Sequence, residues 1–135
     1  MEIRDAVEAD AERLATLTGA PKDVMRNLVH DRTVRVAESG DDIQGFVSFD
    51  AREQTVHVTQ LEGDGDIYDE LLAEPIRFAE GEQMAVELLL PDGDESRQEA
   101  ARELGFDRIG PGPQFDGDST VRFRLEQPTG QNLDD

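Results

Sequence analysis

The sequence predicts a single mixed α/β (α+β) domain with a mostly antiparallel central sheet flanked by helices. The first observation is the order of the predicted elements, β-α-α-β-β-β-α-β-α-β, in which three consecutive strands form a meander. The second is the length of 135 residues, which fits one domain with a real core. We expect the domain to span residues 1–126 and residues 127–135 to form a flexible polar tail.

The first half of the chain predicts a strand, two helices and the meander. Glu2–Ala6 opens as a strand, and Asp10 is placed to cap a helix that runs to Thr18 and ends at Gly19. Pro21 suits the first turn of a second helix. The apolar stripe of that helix comprises Val24, Met25, Leu28 and Val29. The meander strands are predicted at Thr33–Glu38, Ile43–Asp50 and Thr55–Leu61.

The second half predicts two helices and two strands. A helix is expected from Ile67 to Glu80 and should stop at Gly81, with Pro75 producing a kink or two pieces. Ala85–Leu90 is apolar apart from Glu87, and we expect a strand buried on both faces. The remaining elements are a helix Ser96–Leu104, capped by Ser96 and closed by Gly105, an extended segment Phe106–Ile109 and a strand Thr120–Glu126.

The charge balance limits the classes of partner. The chain has 32 acidic and 13 basic residues, a net charge of −19, and Lys22 is its single lysine. This composition resembles proteins of salt-in halophiles, in which molar salt screens the self-repulsion. Nucleic acid and anionic membranes are poor partners, since binding them needs clustered cations. The sequence shows no signal peptide and no membrane-spanning run, so we expect a cytoplasmic protein.

Three sets of segments carry a family resemblance: Glu2–Ala6 with Asp10–Glu12, Val34–Glu38 with Gly45–Val47, and Glu103–Phe106 with Arg108–Gly110. In this order they resemble the GNAT superfamily of N-acetyltransferases. The resemblance covers roughly residues 1–126 and implies the fold described above. It implies acetyl-CoA as the donor substrate, a primary amine as the acceptor, and a V-shaped opening between the fourth and fifth strands. The acceptor would be a small-molecule amine or a protein N-terminus or lysine, and a homodimer is left open.

The resemblance also implies a pyrophosphate loop, Arg/Gln-x-x-Gly-x-Gly/Ala, before the central helix. By letters the motif falls on Gln60, Gly63 and Gly65, whereas alignment on Leu71-Leu72 puts Asp66 and Tyr68 at the glycine positions. No basic residue lies between Glu53 and Ile76, and acids in the first turn compete with a pyrophosphate for the helix amides. The residues expected to bind the donor are Val58, Gln60, Leu61, Gly63 and Gly65.

The acid–base residues depart from the family pattern. The tyrosine that many members use to protonate the thiolate corresponds to Ala101, and the one tyrosine, Tyr68, is expected to pack. His57 is the candidate general base, with Glu62 as a second candidate, because imidazole titrates near neutrality. We place His57 on the strand face shared with Thr59 and Leu61, opposite Val56 and Val58. His30 is expected to contact helix C-terminal carbonyls.

Two acidic runs invite a metal interpretation, at residues 62–66 and 92–95. Neither has the spacing of a twelve-residue calcium loop, so we expect no metal. Arg122 and Arg124 share one face of the last strand and should pair with local carboxylates. Two hypotheses remain. The first is an acetyl-CoA-dependent N-acyltransferase with His57 as the base. The second is a binding or regulatory module that keeps the fold without catalysis.

Overall fold

The computed structural model describes residues 1–114 and 117–126. It confirms the predicted order of elements, and the extended segment near Ile109 adds a seventh strand. The expected tail, 127–135, lies outside the described residues. The strands are β1 (Glu2–Asp5), β2 (Thr33–Ser39), β3 (Asp42–Arg52), β4 (Thr55–Gly63), β5 (Ala85–Pro91), β6 (Asp107–Pro111) and β7 (Thr120–Leu125). The helices are α1 (Ala11–Thr18), α2 (Lys22–Asp31), α3 (Tyr68–Glu82) and α4 (Glu95–Glu103), with short 3₁₀ turns at Glu8–Asp10 and Gly65–Ile67.

The seven strands form one sheet in the order β1-β2-β3-β4-β5-β7-β6. The β4–β5 pair is parallel, and the other neighbouring pairs are antiparallel. A parallel pair needs a crossover connection, which α3 supplies. The predicted mostly antiparallel sheet is therefore confirmed, and its one parallel pair lies at its centre.

Two hydrophobic clusters lie on the two faces of the sheet. The larger one packs α3 and α4 on strands β3, β4, β5 and β7, through residues such as Leu71, Ala101 and Phe123. The smaller one packs α1 and α2 on β2 and β3, for example Leu14 on Phe46. Helices α1 and α2 make their core contacts in this smaller cluster, over β2 and β3. The same side of the sheet at β4, β5 and β7, called the outer face below, is left open.

The helix ends correct two predictions about caps. Asp10 accepts a hydrogen bond from the backbone N–H of Val7 at 2.8 Å, so it closes the preceding 3₁₀ turn instead of capping α1. At α4 the cap is Asp94, which accepts from the backbone N–H of Arg97 at 3.1 Å, and not Ser96. Both shifts follow from the reach of a carboxylate to an N–H three residues away.

The central helix also differs from the prediction. It continues through Gly81 to Glu82, and the next residue, Gln83, adopts the left-handed conformation with φ of 59°. Pro75 lies buried within a helix assigned as one continuous element, so the two-piece prediction is wrong. A proline inside a helix removes one backbone donor, and packing of Leu71 and Leu72 into the core holds the helix together across it.

Strand β5 is buried on one face only, in contrast to the prediction. Val86, Leu88 and Leu90 are buried among the core side chains, whereas Leu89 is exposed and Glu87 is half-buried on the opposite face. The charged residue within the run Ala85–Leu90 marks this second face. The open outer face of β5 is the floor of the larger cavity described below.

Candidate functional site

The parallel strands β4 and β5 separate partway along their length. Their paired residues run from Thr55 opposite Ala85 to Val58 opposite Leu88, and the register ends there. Both strands continue beyond this point, β4 to Gly63 and β5 to Pro91. The result is the V-shaped opening that the sequence resemblance implied. A cavity of about 390 Å³ lies at this opening and is lined by both strands and by Arg97.

A β-bulge in β4 sets the direction of the side chains at the opening. Phe49 pairs with Val58 and Ser48 pairs with Gln60, so Thr59 is the extra residue. The Thr59 hydroxyl lies 2.6 Å from the Ser48 hydroxyl. Because the bulge shifts the alternation by one residue, Leu61 returns to the helix-covered face and packs in the core with Val58. The predicted grouping of Leu61 with His57 is therefore wrong.

His57 lines a larger cavity of about 1020 Å³ on the outer face of β4, β5 and β7. Its register neighbours are Asp50 on β3 and Glu87 on β5. This cavity also contacts Arg122. The candidate base therefore lies on an accessible face, beside the strands that part.

Glu87 is the anchored carboxylate of this outer cavity. It accepts hydrogen bonds from Arg122 at 3.2 Å and from Arg124 at 2.5 Å, which confirms that both arginines pair with a local carboxylate. Partial burial acts to raise the pKa of Glu87, but the hydrogen bonds from the two arginines outweigh it and hold that pKa below its ordinary value. Glu87 therefore stays ionised next to His57 across the physiological range.

The two cavities meet at the point where the strands separate. Both are lined by Val58, Thr59, Leu88, Leu89 and Pro91. The smaller cavity is also lined by Arg97 of α4, and the larger one by His57 and Glu87 on the outer face. Ligands bound in the two cavities would therefore meet beside the last paired residues of β4 and β5.

The expected donor-binding residues lie along this opening and its connection to α3. Val58, Gln60 and Leu61 line the smaller cavity, and the buried Oε1 of Gln60 has no hydrogen-bond partner within the described part of the chain. Gly63 ends β4 with φ of +134°, a value that side chains rarely adopt. Gly65 begins the 3₁₀ turn before α3, so the motif residues occupy the strand end and the connection.

Arg97 is the site residue that the sequence analysis missed. It lies on the first turn of α4, and its Nε donates to the backbone oxygen of Leu61 at 2.7 Å. Its other nitrogens donate to Glu62 at 3.2 Å and to Asp94 at 2.5 Å. The guanidinium also lies 4.9 Å from the centre of the Tyr68 ring. One side chain thus ties α4 to the end of β4 and the start of α3.

Burial dominates the electrostatics of the acidic connection. Desolvation raises the pKa of Glu62 above its ordinary value, although Arg97 opposes this and Asp94 adds to it. Burial likewise raises the pKa of Tyr68, so its hydroxyl remains protonated. Ala101 is fully buried in the core.

The remaining candidates are structural or surface residues. His30 lies 3.2 Å from the carboxylate of Glu8, rather than on the carbonyls at the end of α2. In the described ranges, no group of three or more His, Asp or Glu side chains is arranged to hold a metal ion. None of the helices in residues 1–114 and 117–126 has the length and apolar character that a bilayer crossing needs.

Comparison with solved structures establishes the class of fold. The ribosomal-protein-alanine N-acetyltransferase of Brucella melitensis has a TM-score of 0.80 at 18% identity, covering 93% of this chain and 99% of that one. A Salmonella typhimurium protein assigned as an acetyltransferase, solved with its cofactor acetyl-CoA, has a TM-score of 0.80 at 16% identity, covering 99% and 98%. The ribosomal-protein-S18-alanine N-acetyltransferase of Escherichia coli has a TM-score of 0.78 at 13% identity, covering 99% of both chains.

These similarities show that the chain has the GNAT acetyltransferase fold, as the sequence resemblance predicted. The identities are too low to establish more than the fold. No protein-family model matches the sequence, and no curated protein matches it.

Proposed function

We propose that this protein is an N-acetyltransferase that transfers an acetyl group from acetyl-CoA to a primary amine. The observation that carries the proposal is the meeting of two cavities where β4 and β5 separate, with His57 in the outer cavity. An enzyme that joins two substrates needs such a shared opening, because the reacting atoms must approach to about 3–3.5 Å.

The residues at the opening fit the acyl and pantetheine part of the donor. The backbone of residues 59–61 lies beyond the last β4–β5 pair, and such a strand edge accepts hydrogen bonds from an extended ligand. The unpartnered Oε1 of Gln60 offers a further acceptor among the described residues. At the phosphate end, Gly63 and Gly65 lie in the segment between β4 and α3, just before the amides of α3. Neither has a side chain, and a Cβ at either position would clash with a close neighbour.

His57 would act as the general base, directly or through a water molecule. It would take a proton from the acceptor ammonium, and the freed amine would attack the thioester carbonyl carbon. The C–N bond forms as the C–S bond breaks. The attacking nitrogen still has to lose a second proton to become an amide. With Ala101 buried where the resemblance implies a tyrosine, a water molecule would carry this second proton to the departing thiolate sulfur, and His57 would release its own proton to solvent. Bound acetyl-CoA would supply the activated acyl group.

The second candidate function is a GNAT-fold binding module that performs no transfer. One observation favours it: the Arg97 side chain lines the opening and occupies the Leu61 oxygen. The sequence resemblance adds that Ala101 stands where many members of the family have a tyrosine. In that case the outer cavity would bind a ligand without a partner substrate. The two functions differ in whether CoA binds at the opening.

The first experiment is calorimetric titration of CoA and acetyl-CoA, in about 2 M KCl because the net charge of −19 requires screening. Saturable binding at or below about 1 mM, a weak but specific affinity, supports the transferase function. A panel of small amines and peptide N-termini would follow, with released thiol as the readout. Absence of binding by folded protein refutes the transferase function.

The role of His57 is tested with the variant H57Q. General-base catalysis contributes about 10²–10⁴-fold, so kcat should fall by that factor while CoA affinity stays constant. The matched control is H30Q, which changes the other histidine, at the exposed contact with Glu8. An H57Q variant with undiminished kcat would show that His57 is not the base.

A further inference from the structure

The side chain of Arg97 reaches from α4 to the end of β4 and lines the opening between β4 and β5. Its hydrogen bond to the Leu61 oxygen joins residues 36 positions apart in sequence. The side chain is only 22% exposed, and it lines the cavity at the opening. Three acceptors hold this long cationic side chain in one position at that degree of burial.

The acceptor that Arg97 occupies belongs to the unpaired end of β4. Leu61 lies beyond Val58, the last residue of β4 that pairs with β5. An extended ligand placed between the strands would hydrogen-bond to this strand edge, as an added strand does. Arg97 and such a ligand therefore compete for the same carbonyl oxygen.

The connection before α3 is also closed against α4. A Cβ added to Gly65 would lie 2.9 Å from the Ser96 hydroxyl, which is closer than real Cβ atoms approach a neighbour. A ligand chain passing between this turn and the start of α4 therefore needs the two to move apart. Arg97 links the same two segments through Glu62 and Asp94.

We propose that Arg97 is the gate of the donor opening: its hydrogen bond to the Leu61 oxygen holds α4 against β4, and an acyl-CoA enters when that contact breaks. The proposal rests on the transferase function. Asp94 lies on the same turn as Arg97, so the guanidinium keeps one carboxylate partner when it leaves β4. The charge of Arg97 itself therefore stays paired in the open state.

The test compares R97M with wild type in two measurements. R97M keeps an unbranched side chain but removes every donor, and R102M is the matched control on the same helix. The Arg102 guanidinium lies 5.9 Å from the Phe123 ring and donates to Gln98, away from the opening. The first measurement is amide hydrogen exchange over residues 63–67. The second is CoA affinity by calorimetry.

R97M loses all three hydrogen bonds of Arg97, and the one to the Leu61 oxygen should by itself change each quantity by about tenfold. We expect R97M to exchange faster at residues 63–67 and to bind CoA more tightly, with R102M like wild type. Unchanged exchange in R97M overturns the proposal, because it would show that Arg97 does not hold α4 against β4. Weaker CoA binding in R97M than in wild type overturns the gate, because Arg97 would then be a donor ligand. Faster exchange in R97M together with no CoA binding by any variant refutes the transferase function and the gate. It would still show that the hydrogen bond between Arg97 and the Leu61 oxygen holds α4 against β4.

Discussion

The close approach of Gly45 to the end of β4 gives a sharp test of how the donor connection is held. Gly45 on β3 pairs with Gly63 on β4. A Cβ added at Gly45 would lie 2.4 Å from the backbone oxygen of Glu62 and 2.8 Å from Cδ1 of Ile67. The side chain of Ile67 can rotate, but the backbone oxygen moves only if the strand moves. The variant G45A therefore has to displace β4 at the beginning of the connection to α3.

Forcing one methyl group into such a packed site costs about 1–3 kcal/mol, and the clash with backbone places G45A near the upper end. With a urea dependence of about 2 kcal/mol/M, the unfolding midpoint should fall by about 1.5 M. The matched control is G81A, in the exposed last turn of α3, where an added Cβ meets nothing within 4 Å. Alanine there should raise stability by about 0.5 kcal/mol.

The assay is urea unfolding followed by circular dichroism, for wild type, G45A and G81A in the same salt. Because the displaced residues carry Glu62 and Gly63, G45A should also weaken CoA binding, whereas G81A should not. A G45A midpoint equal to that of wild type would refute the reasoning. It would mean that the β3 and β4 ends separate freely and do not fix the connection.

Two further predictions concern stability. Gln98 is buried and donates to the backbone oxygens of Pro91 and Asp92 at 2.8 and 2.9 Å, so Q98A should lower the free energy of unfolding by about 2 kcal/mol, measured by urea unfolding. Hydrogen bonds from Arg4 outweigh burial and lower the pKa of Asp10, so its contribution is present at neutral pH and is lost as the pH falls below about 4 through the depressed value. The destabilisation of D10N relative to wild type, about 1 kcal/mol at pH 7 because Arg4 is partly exposed, should therefore shrink in acid; a constant difference would contradict this assignment.

The fold was predictable because local signals agreed with one another. Gly19, with φ of 77°, ends α1 where the pattern of apolar residues ends. The turn at Ser39–Asp42 joins two alternating strands, and the pairing of β2 with β3 follows. Each of these signals lies within a few residues of the structure that it predicts. Order and type of the elements could therefore be read from the chain.

The details of the site depend on contacts that no local pattern contains. The bulge at Thr59 arises from how β4 pairs with β3, and it moved Leu61 to the other face. Alternation alone assumes an uninterrupted strand, so it assigned Leu61 wrongly. Glu87, within the apolar run of β5, was a usable signal that one face of that strand is open. Arg97 had no such signal, because its partner Leu61 is distant in sequence.

The transferase and the binding module share one fold and differ in what occupies the Leu61 oxygen. If Arg97 stays hydrogen-bonded to the Leu61 oxygen, the opening between β4 and β5 is filled by a side chain of the protein itself. If Arg97 leaves, Asp94 still neutralises it and the strand edge becomes free for a donor. Glu62 then loses its arginine partner while its raised pKa shows that burial already disfavours its charge. Opening therefore favours either protonation of Glu62 or its move into solvent. The 3₁₀ turn Gly65–Ile67 that follows Glu62 leads directly to the first amides of α3. Under the gate proposal, the acidic connection binds the donor in the open arrangement, and the Arg97 contact distinguishes the two proposed functions.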